Sequence, residues 1–167
     1  AVIADFQAAM AQAAQPLRPI LTTEGIQSVE DIMQRREALA AARNTLARSA
    51  GVLQDAKARA DEARGALELA PDLAPIYDGV YDEAVTAPAA ELMAAAARLD
   101  AIARDALDVA DLMAVNPSDI TLERGQARVA TPSLQQRLNQ LLRQLNAQSQ
   151  ALEQARAVVS RAAAGAR

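Results

Sequence analysis

Two of the three aromatic residues in this chain of 167, Tyr77 and Tyr81, stand four apart in the stretch PDLAPIYDGVYDEAVTAP (71–88). Asp72, Asp78, Asp82 and Glu83 surround them. A spacing of four puts both rings on one face of a helix. Such a pair could form an aromatic ledge for a ligand, a small molecule or lipid, with Asp78 and Asp82 supplying polar contacts beside it. The ordinary use of an aromatic stripe is to fill a core. The expectation is therefore that the rings plug the end of a helical core while the acids face water. The same four acids could in principle surround a hard cation, which takes several oxygen ligands. The spacing lacks the alternating Asp-x-Asp-x-Asp loop and its glycine, so a solvated acidic surface is expected and no metal ligand is assigned.

The rest of the chain narrows the chemistry further. It contains no histidine and no cysteine. That excludes Ser-His and Cys-His nucleophiles, zinc held by nitrogen or sulfur, haem, iron–sulfur clusters and the Glu-x-x-His di-iron bundle. Catalysis would have to rest on carboxylates, arginines, Lys57 or hydroxyls, and no carboxylate pair is set apart for acid–base work. The expectation is a protein without catalytic residues or cofactor, and not an enzyme.

The hydrophobic fraction is 51% and the aromatic fraction only 2%, so the apolar content is mostly alanine, leucine and valine. That mixture favours helix, because Ala and Leu lose little entropy there. Alanine buries little area, which favours long, closely packed helices over a thick core. The formal charge of −4 hides a division: residues 1–67 balance to 0, residues 68–119 carry −9, and residues 120–167 carry +5. No strongly basic face with stacking aromatics is present, so nucleic acid is not an expected partner. No apolar run approaches the roughly 20 residues that span a bilayer. The chain opens on Ala1 rather than Met, as expected of a processed product that has lost a leader and anchor.

The elements that must carry these residues can be read from periodicity. The first segment is expected to be a helix with Val2, Ile3, Phe6 and Met10 on one side, kinked or ended by Pro16 and Pro19. A loop, TTEG (22–25), follows. Ser28 is a good N-cap, with Glu30 and Asp31 in the first turn. One very long helix is expected from about 28 to 69, since no proline intervenes before Pro71. Ile32, Leu39, Leu46, Leu53, Ala60 and Leu67 recur every seven residues, with Ala42, Ala56 and Ala63 between them, a heptad pattern for close packing. Arg35, Arg36, Arg43 and Arg48 make its first half basic. A solvated face, neutralised by Glu37 and by acids of a neighbouring helix, is expected there rather than a lipid or partner site.

A short helix near 73–85 lies between Pro71 and Pro88, and a further helix over 88–115. Alternation at Ile120 and Leu122, the RGQ turn and Val129 predict a small β-hairpin near 120–130. Thr131 and Pro132 then open a helix over about 132–163 with Leu134, Leu138, Leu141, Leu145, Leu152, Ala155 and Val159 in its seam. Gln148 fills the one polar slot, where a buried polar group can fix register. The sum is a single all-α domain over 1–167, an elongated antiparallel four-helix-type bundle. The acidic 88–115 helix is expected beside the basic 132–163 helix. The terminal heptads are expected to pack within the chain, leaving a monomer or weak homo-oligomer.

Residues 51–92 resemble the enterobacterial YiaF-like family of cell-envelope lipoproteins of unknown function. The likeness lies in AK-x-x-AD-x-A-x-x-AL from Ala56 to Leu67, DL-x-P from Asp72 to Pro75, and TAPA-x-x-L from Thr86 to Leu92. Weaker similarity extends to PLRPI (16–20) and to 120–142. The resemblance implies a periplasmic, membrane-anchored protein, tethered by lipid on an N-terminal cysteine that this chain lacks. It implies aromatic rings at both tyrosine positions without a need for the hydroxyls. It carries no activity and no site, and leaves a protein-interaction or structural module of the envelope, with an unknown envelope protein as partner.

Overall fold

Ser28 begins the long helical arm where its side chain predicts. The computed structural model describes residues 2–18, 28–124 and 126–164; the TTEG loop and Pro19 lie outside them. Ser28 Oγ accepts the Asp31 N–H at 3.1 Å, and the Asp31 carboxylate accepts the Ser28 N–H at 3.0 Å, a reciprocal capping box. The expected single helix over 28–69 is not continuous. Helix α2 (Val29–Gln34) stops at Arg35, whose φ of −101° and ψ of 9° break the regular backbone, and α3 runs from Arg36 to Gly65. At 1.5 Å per residue α3 is about 45 Å long. The break lets Ile32 join a separate apolar cluster. At the far end Leu67 lies beyond the helix and is exposed. The repeat stays buried through Leu46, Leu53 and Ala60 and ends with the helix at Gly65.

Helix α1 (Val2–Ala14) passes through a 3₁₀ turn at Gln15–Leu17, where Pro16 sits as expected. Phe6, Ala13, Ala14 and Leu17 are buried. Helix α4 (Ala74–Tyr81) is short, as expected, but Pro88 does not separate it from the next helix. A π-helical turn at Asp82–Thr86 leads without interruption into α5 (Ala87–Ala114). The Ala87 N–H donates to the Asp82 carbonyl, five residues back. The wider turn accommodates a proline ring that would clash in a regular helix.

Strands β1 (Ile120–Glu123) and β2 (Gln126–Val129) form the expected antiparallel hairpin, paired from Ile120 with Val129 to Glu123 with Gln126. Arg124 closes it at a positive φ of 52°. The last helix, expected unbroken over 132–163, bends at Gln148 into α6 (Pro132–Ala147) and α7 (Ser149–Ala164).

Two apolar clusters result. The first joins α1, α3, the π turn, α5 and α7 through Phe6, Leu53, Val85, Leu92 and Val159. The second joins α2, the end of α5, the hairpin and α6 through Ile32, Val109, Met113, Ile120 and Leu138. Helix α5 runs through both. It lies antiparallel to α3, since Arg36 meets Asp111 at 2.6 Å and Arg43 meets Asp100 at 2.7 Å. The acids of α5 therefore pair chiefly with α3, while Arg161 to Glu91, at 3.1 Å, is the tie to α7. The expected charge pairing with 132–163 is the lesser part, because the arginines of α3 project across the groove that α5 borders.

Candidate functional site

The tyrosines sit where α4 folds back against the end of α3. Pro75 in the first turn starts α4, and the π turn that follows keeps Tyr81 and Val85 facing inward. Tyr81 is the largest side chain with no exposed surface, and Val85 and Ala89 beyond it are equally buried. Tyr77 is half-buried and stacks on Tyr81, with ring centroids 6.3 Å apart and planes inclined by 28°. The Arg64 guanidinium lies over the Tyr81 ring at 4.8 Å, a cation–π contact that leaves no room for a ligand on that side.

The polar atoms of this cluster satisfy one another. The Tyr81 hydroxyl donates to Asp61 at 2.8 Å, and Lys57 pairs with the other Asp61 oxygen at 2.6 Å. Arg64 also pairs with Asp78 at 2.7 Å. Burial, and next the hydrogen bond to Asp61, push the Tyr81 phenol well above its ordinary range. The hydrogen bond from Lys57, assisted by that from Tyr81, lowers the Asp61 carboxyl. A phenol held neutral and a carboxylate held ionised are poor acid–base catalysts near neutrality. The arrangement is instead a latch fixing α4 to α3.

Of the four residues singled out from sequence, Tyr77, Tyr81 and Asp78 share this cluster. Asp82 forms no bond within it: it accepts the Thr86 hydroxyl at 3.0 Å within its own turn and acts on Arg64 only through its charge. Asp72 and Glu83 are exposed. Among the described residues no three acids are grouped to hold a metal ion.

Sequence reasoning missed Asp61 and Arg64, although both lie one to two turns from Lys57 at the end of a helix whose partner it did not place. It also missed Asp105, 7% exposed, whose carboxylate accepts the Gln144 amide at 3.0 Å and that of Gln148 as well. This explains the polar slot at Gln148. The available signal was Asp105 itself, a charged residue between Ile102 and Val109 on an apolar face. A cleft of about 690 Å³ opens between α3 and α5, where Ala40, Ala47, Ala50 and Ala97 are too small to fill it and Arg43 and Asp100 bridge it. The tyrosines do not line it.

Comparison with known proteins gives a family but no activity. The family model described as "Protein of unknown function (DUF3053)" matches residues 1–160. The protein named "Uncharacterized protein YiaF" of Escherichia coli strain K12 is 28% identical over 140 residues, which cover 83% of this chain and 59% of that protein. The proteins of the same name from Escherichia coli O157:H7 and Shigella flexneri give the same figures. The chain thus spans about three fifths of the length of these relatives. No solved structure matches it. A model matching nearly its whole length places the chain in the DUF3053 family of proteins of unknown function, to which it belongs.

Proposed function

We propose that this chain is a non-catalytic periplasmic lipoprotein domain, tethered to a membrane in the full-length protein, that acts through its surface as a protein-interaction or structural module of the cell envelope. The observation that carries the reading is the self-satisfied tyrosine latch. Tyr81 is fully buried and donates to Asp61, Asp61 also pairs with Lys57, and Arg64 pairs with Asp78. A binding domain would keep an inter-helical cavity with convergent polar groups at this place. Here the residues with most chemistry hold the fold, and in the cleft between α3 and α5 Arg43 and Asp100 likewise pair with each other, which favours the outer surface for function. The resemblance to envelope lipoproteins supports a periplasmic, membrane-tethered location. Leu138, Leu141 and Val159 are buried within the chain, which supports a monomer over coiled-coil assembly.

The test is crosslinking of the full-length, leader-bearing protein in its own cells, with captured partners identified by mass spectrometry and the protein located by fractionation and lipid labelling. A reproducible envelope-protein partner is expected, with the protein in the membrane-bound periplasmic fraction. A cytoplasmic, unlipidated protein, or a tethered one that crosslinks to nothing, would overturn it.

A further inference from the structure

Beside the tyrosine face, α4 presents a second face that none of the described residues covers. Leu73, Ile76 and Val80 follow one another at spacings of three and four, which aligns them along one side of the helix. They are 52%, 65% and 50% exposed. Leu67, at the end of α3, is 41% exposed at the same end of the bundle. Single exposed apolar residues are normal, but an aligned run of large ones marks a place where another surface is taken up.

The charge around the stripe is one-sided. Residues 68–83 contain five acids, Glu68, Asp72, Asp78, Asp82 and Glu83, and no lysine or arginine. Only Asp78 is paired, with Arg64; no ion pair among the described residues reaches the other four. Helical geometry sets Asp72 and Glu83 along the edge of the stripe away from the tyrosines. Such a rim repels a second copy of itself and an anionic lipid surface, and attracts a cationic partner.

Gly79 is the independent observation. It lies inside α4, where glycine is a poor helix former. A Cβ there would meet nothing within 4 Å, so the space over the backbone is open. It leaves bare backbone beside Asp72 and Glu83, on the side away from the tyrosines, where another helix can approach closely.

We infer that this face of α4 (Leu73, Ile76, Gly79 and Val80, edged by Asp72 and Glu83) docks a basic amphipathic helix of a partner protein. The inference rests on the interaction reading above and gives it a location. The partner helix lays an apolar stripe along Ile76 and Val80, its backbone passes over Gly79, and its lysines or arginines meet the unpaired acids.

The test is fluorescence anisotropy of the folded chain with a labelled leucine–lysine amphipathic peptide of about four helical turns. A peptide with glutamates for the lysines, and phosphatidylcholine and phosphatidylglycerol vesicles, serve as comparison probes. The lysine peptide is expected to bind, and the double variant Ile76→Ser with Val80→Ser to weaken binding about tenfold or more. Asp72→Asn with Glu83→Gln should weaken it several-fold and flatten its salt dependence. Gly79→Leu should block it without loss of helical structure, while Val115→Ser, an exposed apolar position at the other end of the bundle, should change nothing. Equal binding by the stripe variants, equal binding of the glutamate peptide, preference for either vesicle, or stripe-dependent dimerisation would each overturn it. In those cases in-cell crosslinks mapping to another face would leave the interaction reading standing.

Discussion

Truncating Tyr81 separates what its ring does from what its hydroxyl does. The ring is wholly buried among Val85, Ala89 and the helices around them, stacks on Tyr77 and lies under Arg64. Removing a buried aromatic side chain costs about 3–5 kcal/mol in transfer and cavity terms. The stack adds about 0.5–1.5 kcal/mol and the half-exposed cation contact about 0.5–1 kcal/mol. These losses share atoms and do not simply add, so Tyr81→Ala should cost about 4 kcal/mol. That is a large part of the ~5–15 kcal/mol that holds a domain together. The hydroxyl is a different matter. A bond to a charged acceptor contributes about 1.5–3 kcal/mol when buried. The Asp61 side chain, however, is 46% exposed and keeps Lys57 in its absence, which brings Tyr81→Phe down to about 1 kcal/mol. Urea unfolding followed by helical circular dichroism reads both, with the slope of the transition checking that the unfolded reference is unchanged. If Tyr81→Ala fell within about 1 kcal/mol of the parent, as an ordinary surface change does, the ring would not be a core plug. If Tyr81→Phe cost as much as Tyr81→Ala, the hydroxyl rather than the ring would carry the latch.

Asp105→Ala should destabilise by about 1–2 kcal/mol, because it removes the buried acceptor shared by the Gln144 and half-buried Gln148 amides, of which the exposed Gln144 can turn to water; thermal melts with Gln148→Leu added should recover part of the loss. Gly51→Ala should stabilise by up to about 1 kcal/mol, since it lies within α3 and an added methyl meets nothing within 4 Å. Stability should fall in alkali: the Tyr81 phenol titrates higher in the fold than its unfolded value of about 10, so its contribution is complete below about pH 10 and is lost as pH rises toward the folded value. Urea midpoints at about pH 9 and about pH 11 should separate the parent from Tyr81→Phe, in which that step is absent. Arg43→Ala should cost no more than about 1 kcal/mol and less in high salt, because its pair with Asp100 is partly exposed.

Much of the candidate site and most of the elements were legible in sequence, for reasons that are local. Ser28 with Asp31 specifies a helix start through its own side-chain geometry, whereas α6 starts on the fixed φ of Pro132, the expected N-cap Thr131 making no side-chain hydrogen bond. The alternation at 120–129 specifies a hairpin because side chains on a strand alternate faces. The spacing of four that aligned Tyr77 with Tyr81 needed only the helical repeat. Asp82, grouped with them by proximity in sequence, was drawn instead to Thr86 by the same one-turn geometry.

What sequence by itself determined, then, is the helical alphabet of this protein: alanine and leucine at heptad spacing, caps and turn residues at the joints, and a composition that excludes histidine- and cysteine-based chemistry. Tertiary packing decided the rest. Whether Pro88 ends a helix or is carried through a π turn depends on what α5 must pack against. Whether Arg35 and Gln148 interrupt their helices depends on where Ile32 finds its cluster and where the Gln148 amide finds Asp105. Which arginine meets which aspartate depends on α3 and α5 lying antiparallel side by side. A repeat along one chain specifies which side of a helix is buried, but partners far apart in sequence are chosen only when the helices meet, because hydrogen bonds and ion pairs act over a few ångströms of space.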